Sequence, residues 1–198
     1  MTSGARRHEQ RVCGYHSKNR SSQVEPVYYI WPRAVAQQPQ PYVKARGPPM
    51  STESDNKTIV GRWFAEFWGK TCNLGIVDEL AAPDMLLQYS LHEPRRGRKE
   101  IKAFMAGFRE AFPDLHFWGA ADLIAEGDYV VGRWEGGGTH TGPAFSDFLI
   151  GSLPATTGRK MHFTGTTVLR VKDGRIAEEV GLDDGVTALQ QLGLMRAV

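Results

Sequence analysis

Residues 161–193, MHFTGTTVLRVKDGRIAEEVGLDDGVTALQQLG, decide the fold. Two runs of alternating side chains, 161–171 and 176–182, flank Lys172-Asp173-Gly174-Arg175. An Asp-Gly pair between two such runs is the strongest short-range signal for a β-hairpin. Side chains alternate with period two, which sets Ile176, Val180 and Leu182 on one face of the second strand and Ala177, Glu179, Gly181 and Asp183 on the other. Continued by one residue, the alternation points Asp184 the same way as the apolar set. A carboxylate aimed into an apolar interior loses its solvation, so its pKa rises toward the range where it exchanges protons near neutral pH. Asp184 is therefore the candidate catalytic base. Glu178 shares its phase but lies about 20 Å away at ~3.3 Å per residue, too far for a carboxylate pair. A bulge in the strand would shift the phase and put Asp183 inside instead. An Asp just before a helix is also a common N-cap, and one of the two is expected to cap.

Outward from this stretch, residues 186–192 read as a closing helix that stops at Gly193. Upstream, two more strands, 115–125 and 129–141, meet at the turn Glu126-Gly127-Asp128. The connection 142–158 is apolar over 144–150, enough to pack as a lid or to pair with a partner chain. Gly136-Gly137-Gly138 lacks the G-x-G-x-x-G pattern in a βαβ setting, so it reads as a bend or bulge rather than a nucleotide loop. An amphipathic helix over 56–68 carries Ile59, Val60, Trp63, Phe64 and Phe67 on one face, with Ser54 or Asp55 as N-cap. A second, over 99–112, carries Ile101, Phe104, Met105, Phe108 and Phe112, and Pro113 ends it. Between them lie a helical turn at 76–80, a strand at 85–91 and a basic loop at 93–99, read as solvated because no aromatic residues are interleaved. Helices early and an antiparallel meander late predict an α+β fold, a curved antiparallel sheet wrapped around a long N-terminal helix. Such a sheet forms a cone whose open end admits a small apolar ligand.

Of 24 basic and 22 acidic residues, eight and two fall in residues 1–49, leaving 16 and 20 from Met50 onward. The body is mildly acidic, which argues against nucleic acid as a partner. Residues 1–49 are rich in Arg, Gln, Ser and Pro without periodicity and read as a disordered basic extension. Met50 resembles an ordinary protein start, so residues 1–49 are expected to be a mis-assigned upstream start or a dispensable tail, and 50–198 the domain. Cys13 and Cys72 are too few and too distant for a disulfide framework or zinc site and suit a reducing cytoplasm. No apolar run approaches the roughly 18 residues of a membrane span, and no signal-peptide core is present.

The segments AFPDL (111–115), THTG (139–142), PATTGRKMHFTG (154–165), RVKDGRIAEE (170–179) and DDGVTALQQLG (183–193) resemble the SnoaL-like polyketide (ester) cyclases of the NTF2-like superfamily. The resemblance spans about residues 59–194. It implies the NTF2-like cone and a cofactor-free intramolecular aldol closure. In that reaction an Asp near the end of the last strand removes a proton from carbon between carbonyls and then protonates the new alkoxide. Aligning the QLG run places that Asp at Asp184. The resemblance further implies a homodimer formed through the sheet. The chain departs from the family pattern where Glu179-Val180 and Leu182-Asp183-Asp184 stand.

His92, ending the first strand, is a candidate to bind a substrate carbonyl. His140 and His162 are candidates of the same kind, and Gln88, Tyr89, Trp63 and Trp134 are large enough to line the cavity. No His-x-His or His-x-x-x-His spacing makes a metal site, and no cofactor is expected. The ligand class expected is a small apolar carbonyl compound. Two alternatives stand beside the cyclase reading. One is a hydrolase, dehydratase or isomerase on the same cone, for which Arg133 or Arg170 with Asp122 would need to face inward as an Asp-Arg-Asp relay. The other is a non-catalytic ligand-binding or dimerisation module.

Overall fold

The computed structural model describes residues 53–196; the expectation for residues 1–49 falls outside them. Helix α1 (Glu53–Trp63) buries Asn56, Val60 and Trp63. It begins at Glu53, so the predicted caps Ser54 and Asp55 lie inside its first turn, and its last turn changes character. Phe64–Trp68 forms a π-helical turn that buries Phe67 and Trp68. A short α2 (Ile76–Leu80) leads into β1 (Ala81–Gln88), β2 (Arg95–Arg96) and α3 (Arg98–Ala111). The apolar stripe of α3 is as predicted: Ile101, Phe104, Met105 and Phe108 are buried, and Phe112 follows at its end. Then come β3 (His116–Gly119), β4 (Ile124–Glu126), β5 (Tyr129–Thr139), β6 (Lys160–Lys172), β7 (Arg175–Asp183) and α4 (Gly185–Gln191).

The seven strands form one curved, unclosed sheet in the order β2-β1-β7-β6-β5-β3, with β4 also paired to β5. The α+β architecture is as expected, but the sheet is mixed: β1 runs parallel to β7, while the other pairs are antiparallel. The hairpin between β6 and β7 closes Lys172 opposite Arg175, with Asp173 at φ 52° and Gly174 at φ 72°, the left-handed pair that a two-residue hairpin turn requires. The predicted strand 115–125 breaks into β3 and β4. Gly136-Gly137-Gly138 makes no bulge in β5, which pairs without interruption to β6 over its whole length. Its glycines serve close approach, since a Cβ on Gly137 would stand 1.9 Å from the Met161 carbonyl oxygen.

One irregularity sets the site. Arg170 pairs with Glu178, but Val171 pairs with Ile176. Ala177 is thus one residue in excess, a bulge that reverses the facing of everything after it. Beyond the bulge Glu179 and Gly181 are buried and Val180 and Leu182 are exposed, the inverse of the simple alternation. Among the described residues no helix is long and apolar enough to cross a membrane.

Candidate active site

Asp184, expected inside, is exposed. Its Oδ1 accepts the Thr187 backbone N–H at 3.2 Å and caps α4, and its side chain borders a shallow groove on the outer face of the sheet together with Arg133. The bulge gives the inward direction to Asp183. That residue is part of the wall of a narrow chamber between the sheet and the helices, and it also borders the outer groove. The chamber is tight: about 30 Å3 of it is free to the centre of a water-sized sphere, and the wider space between its lining atoms runs out into solvent. Eight Phe, Tyr and Trp rings line it, among them Trp68, Tyr89 and Trp134, with Leu91, His92 and Asp183. Partial burial pushes the Asp183 carboxyl above its ordinary value; the Ser90 hydroxyl, which donates to Oδ1, and the nearby His92 pull it back.

His92 is the second polar group of the chamber. Its ring sits among Phe104, Phe108 and Phe148, with centroids 4.9–5.2 Å apart. Nδ1 lies 3.1 Å from the Asp147 carbonyl oxygen and 3.2 Å from Asp147 Oδ2. Both partners only accept, so Nδ1 carries a proton. Nε2 has no protein partner among the described residues. The Asp147 carboxylate also accepts from Arg95, and the His92 hydrogen bond, with Arg95 adding to it, holds Asp147 below the usual carboxylate range. Asp147 belongs to the connection 142–158, which packs as a lid: Phe145 and Phe148 are buried, and a bridge joins Phe148 to His92. Arg95, part of the loop read as solvated, is a clamp on that lid.

Behind the chamber wall lies a carboxylate that simple alternation had placed on the outer face. Glu179 is fully buried. Its Oε2 accepts Trp63 Nε1–H at 2.7 Å, and its Oε1 accepts Trp68 Nε1–H at 2.8 Å and the Tyr89 hydroxyl at 2.6 Å. Among the described residues no cation pairs with it. Burial pushes its pKa up to about 7 against the pull of the three donors. The Tyr89 ring reaches it by lying on Gly181, where a Cβ would stand 2.1 Å from Tyr89 Cε1. Tyr89 is itself pushed well above the ordinary tyrosine range by burial and then by the neighbouring Glu179.

Of the candidates read from sequence, His92, Tyr89 and Trp134 meet in the chamber wall. Trp63 lies behind it, stacked on Phe67 and bonded to Glu179. Gln88 is exposed on β1. His140 is buried with both ring nitrogens engaged, Nδ1 with Thr157 and Nε2 with the Pro143 carbonyl, so it ties the lid's base. His162 stands on the outer face near Trp118 and Glu135, because the strand pleat turns it away from Met161 and Phe163. Arg133 and Asp122 are exposed and Arg170 pairs with Glu178, so an inward Asp-Arg-Asp relay does not form. Ser90, Asp147 and Glu179 were not singled out from sequence. Among the described residues no group of three or more His, Cys, Asp or Glu side chains is disposed to hold a metal ion.

Comparison with known proteins agrees with this architecture. A candidate SnoaL-like polyketide cyclase from Jannaschia sp. CCS1 superposes with a TM-score of 0.61 at 23% identity, over 77% of this chain and 99% of its own. A candidate polyketide cyclase from Acidithiobacillus ferrooxidans gives 0.55 at 27% identity, over 73% and 98%, and one from Bacillus cereus gives 0.56 at 26%, over 72% and 83%. No curated protein matches the chain. The profile of the family described as SnoaL-like polyketide cyclase matches residues 58–192, running from α1 through α4. The chain therefore belongs to the SnoaL-like polyketide cyclase family.

Proposed function

We propose that this protein is an enzyme that removes a proton from carbon next to a carbonyl in a small, mainly apolar compound, with Asp183 as the base. The observation that carries this reading is the position of Asp183: a partly desolvated carboxylate in the wall of an aromatic chamber and also at the edge of a solvent-facing groove. The chamber wall raises its basicity, and the groove gives its proton a way out to water. An aromatic chamber holds an aryl or alkyl carbonyl compound by apolar contact, and a substrate carbonyl acidifies its own neighbouring C–H, so the step asks for no cofactor. His92, fixed by Asp147, presents Nε2 to a substrate oxygen and, when doubly protonated, donates to it. A carbanion formed this way and held folded against a second carbonyl of the same molecule closes a ring: as the C–C bond forms, that carbonyl's π pair moves to its oxygen, and the alkoxide takes a proton back from Asp183, with proximity supplied by the chamber.

The test is hydrogen–deuterium exchange at the methyl group of acetophenone in D2O, followed by NMR. Faster exchange with the protein than without it supports the reading. A second reading, a ligand-binding module without turnover, is favoured by the crowding of the chamber with aromatic rings. Saturable acetophenone binding with exchange at the background rate would establish that reading and overturn the enzymatic one.

A further inference from the structure

We propose that Glu179 is the positioning residue of the aromatic chamber: one carboxylate that, through convergent hydrogen bonds, fixes Trp68, Tyr89 and Trp134 in the chamber wall. The proposal rests on the chamber being the ligand site; the experiment below reads the wall without ligand. Trp68 and Tyr89 donate to Glu179 directly. Trp134 is tied in through Thr167, whose Oγ1 accepts Trp134 Nε1–H at 2.7 Å and lies 2.9 Å from the Tyr89 oxygen. Trp63 anchors the other carboxylate oxygen from α1.

The backbone is shaped for this. Residues five apart on an α-helix point about 140° apart at 3.6 residues per turn, so Trp63 and Trp68 could not share one acceptor on a continuous α-helix. The π-helical turn Phe64–Trp68, whose bonds run from i to i+5, brings both indoles to the two oxygens of Glu179. A π-turn at a functional site has a cause here: it converts two indoles of one helix into a pair of donors.

Hydrogen counting gives the network a direction. Its five contacts are Trp63, Trp68 and Tyr89 to Glu179, Thr167 to Tyr89, and Trp134 to Thr167. Three indole N–H groups, one phenol and one hydroxyl supply one hydrogen for each contact. With Glu179 ionised every contact is satisfied and every hydrogen points toward the carboxylate. A proton on Glu179 makes six hydrogens for five contacts: Glu179 then donates to the Tyr89 oxygen, Tyr89 turns to donate to Thr167, and the Thr167 hydroxyl hydrogen is left without a contact in the network. The groups around Glu179 leave this proton to it. From β1 it meets Tyr89, and Asp183 follows further along β7. On β6 Arg170 pairs with Glu178. On α1 Arg62 pairs with Glu66, and on α2 Glu79 pairs with Arg62 and Asp78 with Lys102.

The experiment is an NMR titration of the indole N–H resonances from pH 5.5 to 8.5 without ligand, in the full chain and in Glu179→Gln and Thr167→Val. The expected result is that Trp63, Trp68 and Trp134 shift together with one midpoint near neutrality, and that Glu179→Gln abolishes the shared transition. In Thr167→Val, Trp134 drops out while Trp63 and Trp68 still titrate, a split that a merely structural Glu179 would not produce. Trp118, whose Nε1–H donates to Glu135 and not to the Glu179 network, serves as the control indole. If Glu179→Gln does not fold, Trp68→Phe removes one donor to the anion and is expected to move the midpoint upward. Three indoles that stay still across the range, or that titrate unchanged in Glu179→Gln, overturn the proposal. Failure of acetophenone to bind overturns the ligand-site reading alone.

Discussion

Replacing Glu179 with Gln is expected to remove a pH dependence from the stability of the fold. A carboxyl that ionises at about 7 in the folded chain, against an ordinary 4.5, costs about 3 kcal/mol to ionise there. Between those values the folded state holds the proton and the unfolded state has released it, so stability falls as pH rises, and the loss is complete above the folded value. Integrated from pH 5.5 to 8.5, the loss is about 2 kcal/mol. Gln carries no proton to lose, so its curve lacks this component. It is less stable at low pH, because one donor that met an oxygen now faces an amide N–H, about 1–3 kcal/mol. Urea unfolding at pH 5.5 and 8.5 reads both effects. The expected result is that the two proteins converge toward high pH. An equal loss in wild type and Glu179→Gln would refute the reasoning, since the slope would then belong to other groups.

Asp184→Ala removes the cap of α4 and is expected to lower stability by about 1 kcal/mol in urea unfolding, with acetophenone binding unchanged. Gly181→Ala drives a methyl into Tyr89 and is expected to destabilise by about 1–3 kcal/mol in thermal unfolding, and to uncouple Tyr89 from Glu179. We propose that the outward apolar residues Val168, Val180 and Leu182, the last 78% exposed, meet a second copy of the chain. Light scattering should then find a dimer for wild type and a monomer for Leu182→Asp, and a monomeric wild type at micromolar concentration would contradict it.

Local signals carried much of the fold. Lys172-Asp173-Gly174-Arg175 contains its own turn chemistry, and the stripe of α3 follows from a period of 3.6 residues. The facing of β7 could not be read, because a bulge is a property of two strands: Ala177 is surplus only with respect to β6. That single residue moved the interior carboxylate from Asp184 to Asp183 and turned Glu179 inward. The parallel pairing of β1 with β7 was hidden for the same reason, as was the partner of His92, which lies 55 residues along the chain. The π-turn left no mark beyond the spacing of Trp63 and Trp68, which is out of phase for an α-helix. That spacing is the one signal that could have pointed to a shared acceptor.

Two neighbouring carboxylates with opposite facing offer the most direct test of the base assigned to the chamber. Acetophenone methyl exchange in D2O should be measured with wild type, Asp183→Asn and Asp184→Asn. The account predicts that Asp183→Asn loses about 10²–10⁴ of the acceleration, the usual contribution of a positioned base, while Asp184→Asn keeps it. Acceleration that survives in Asp183→Asn and disappears in Asp184→Asn would contradict it.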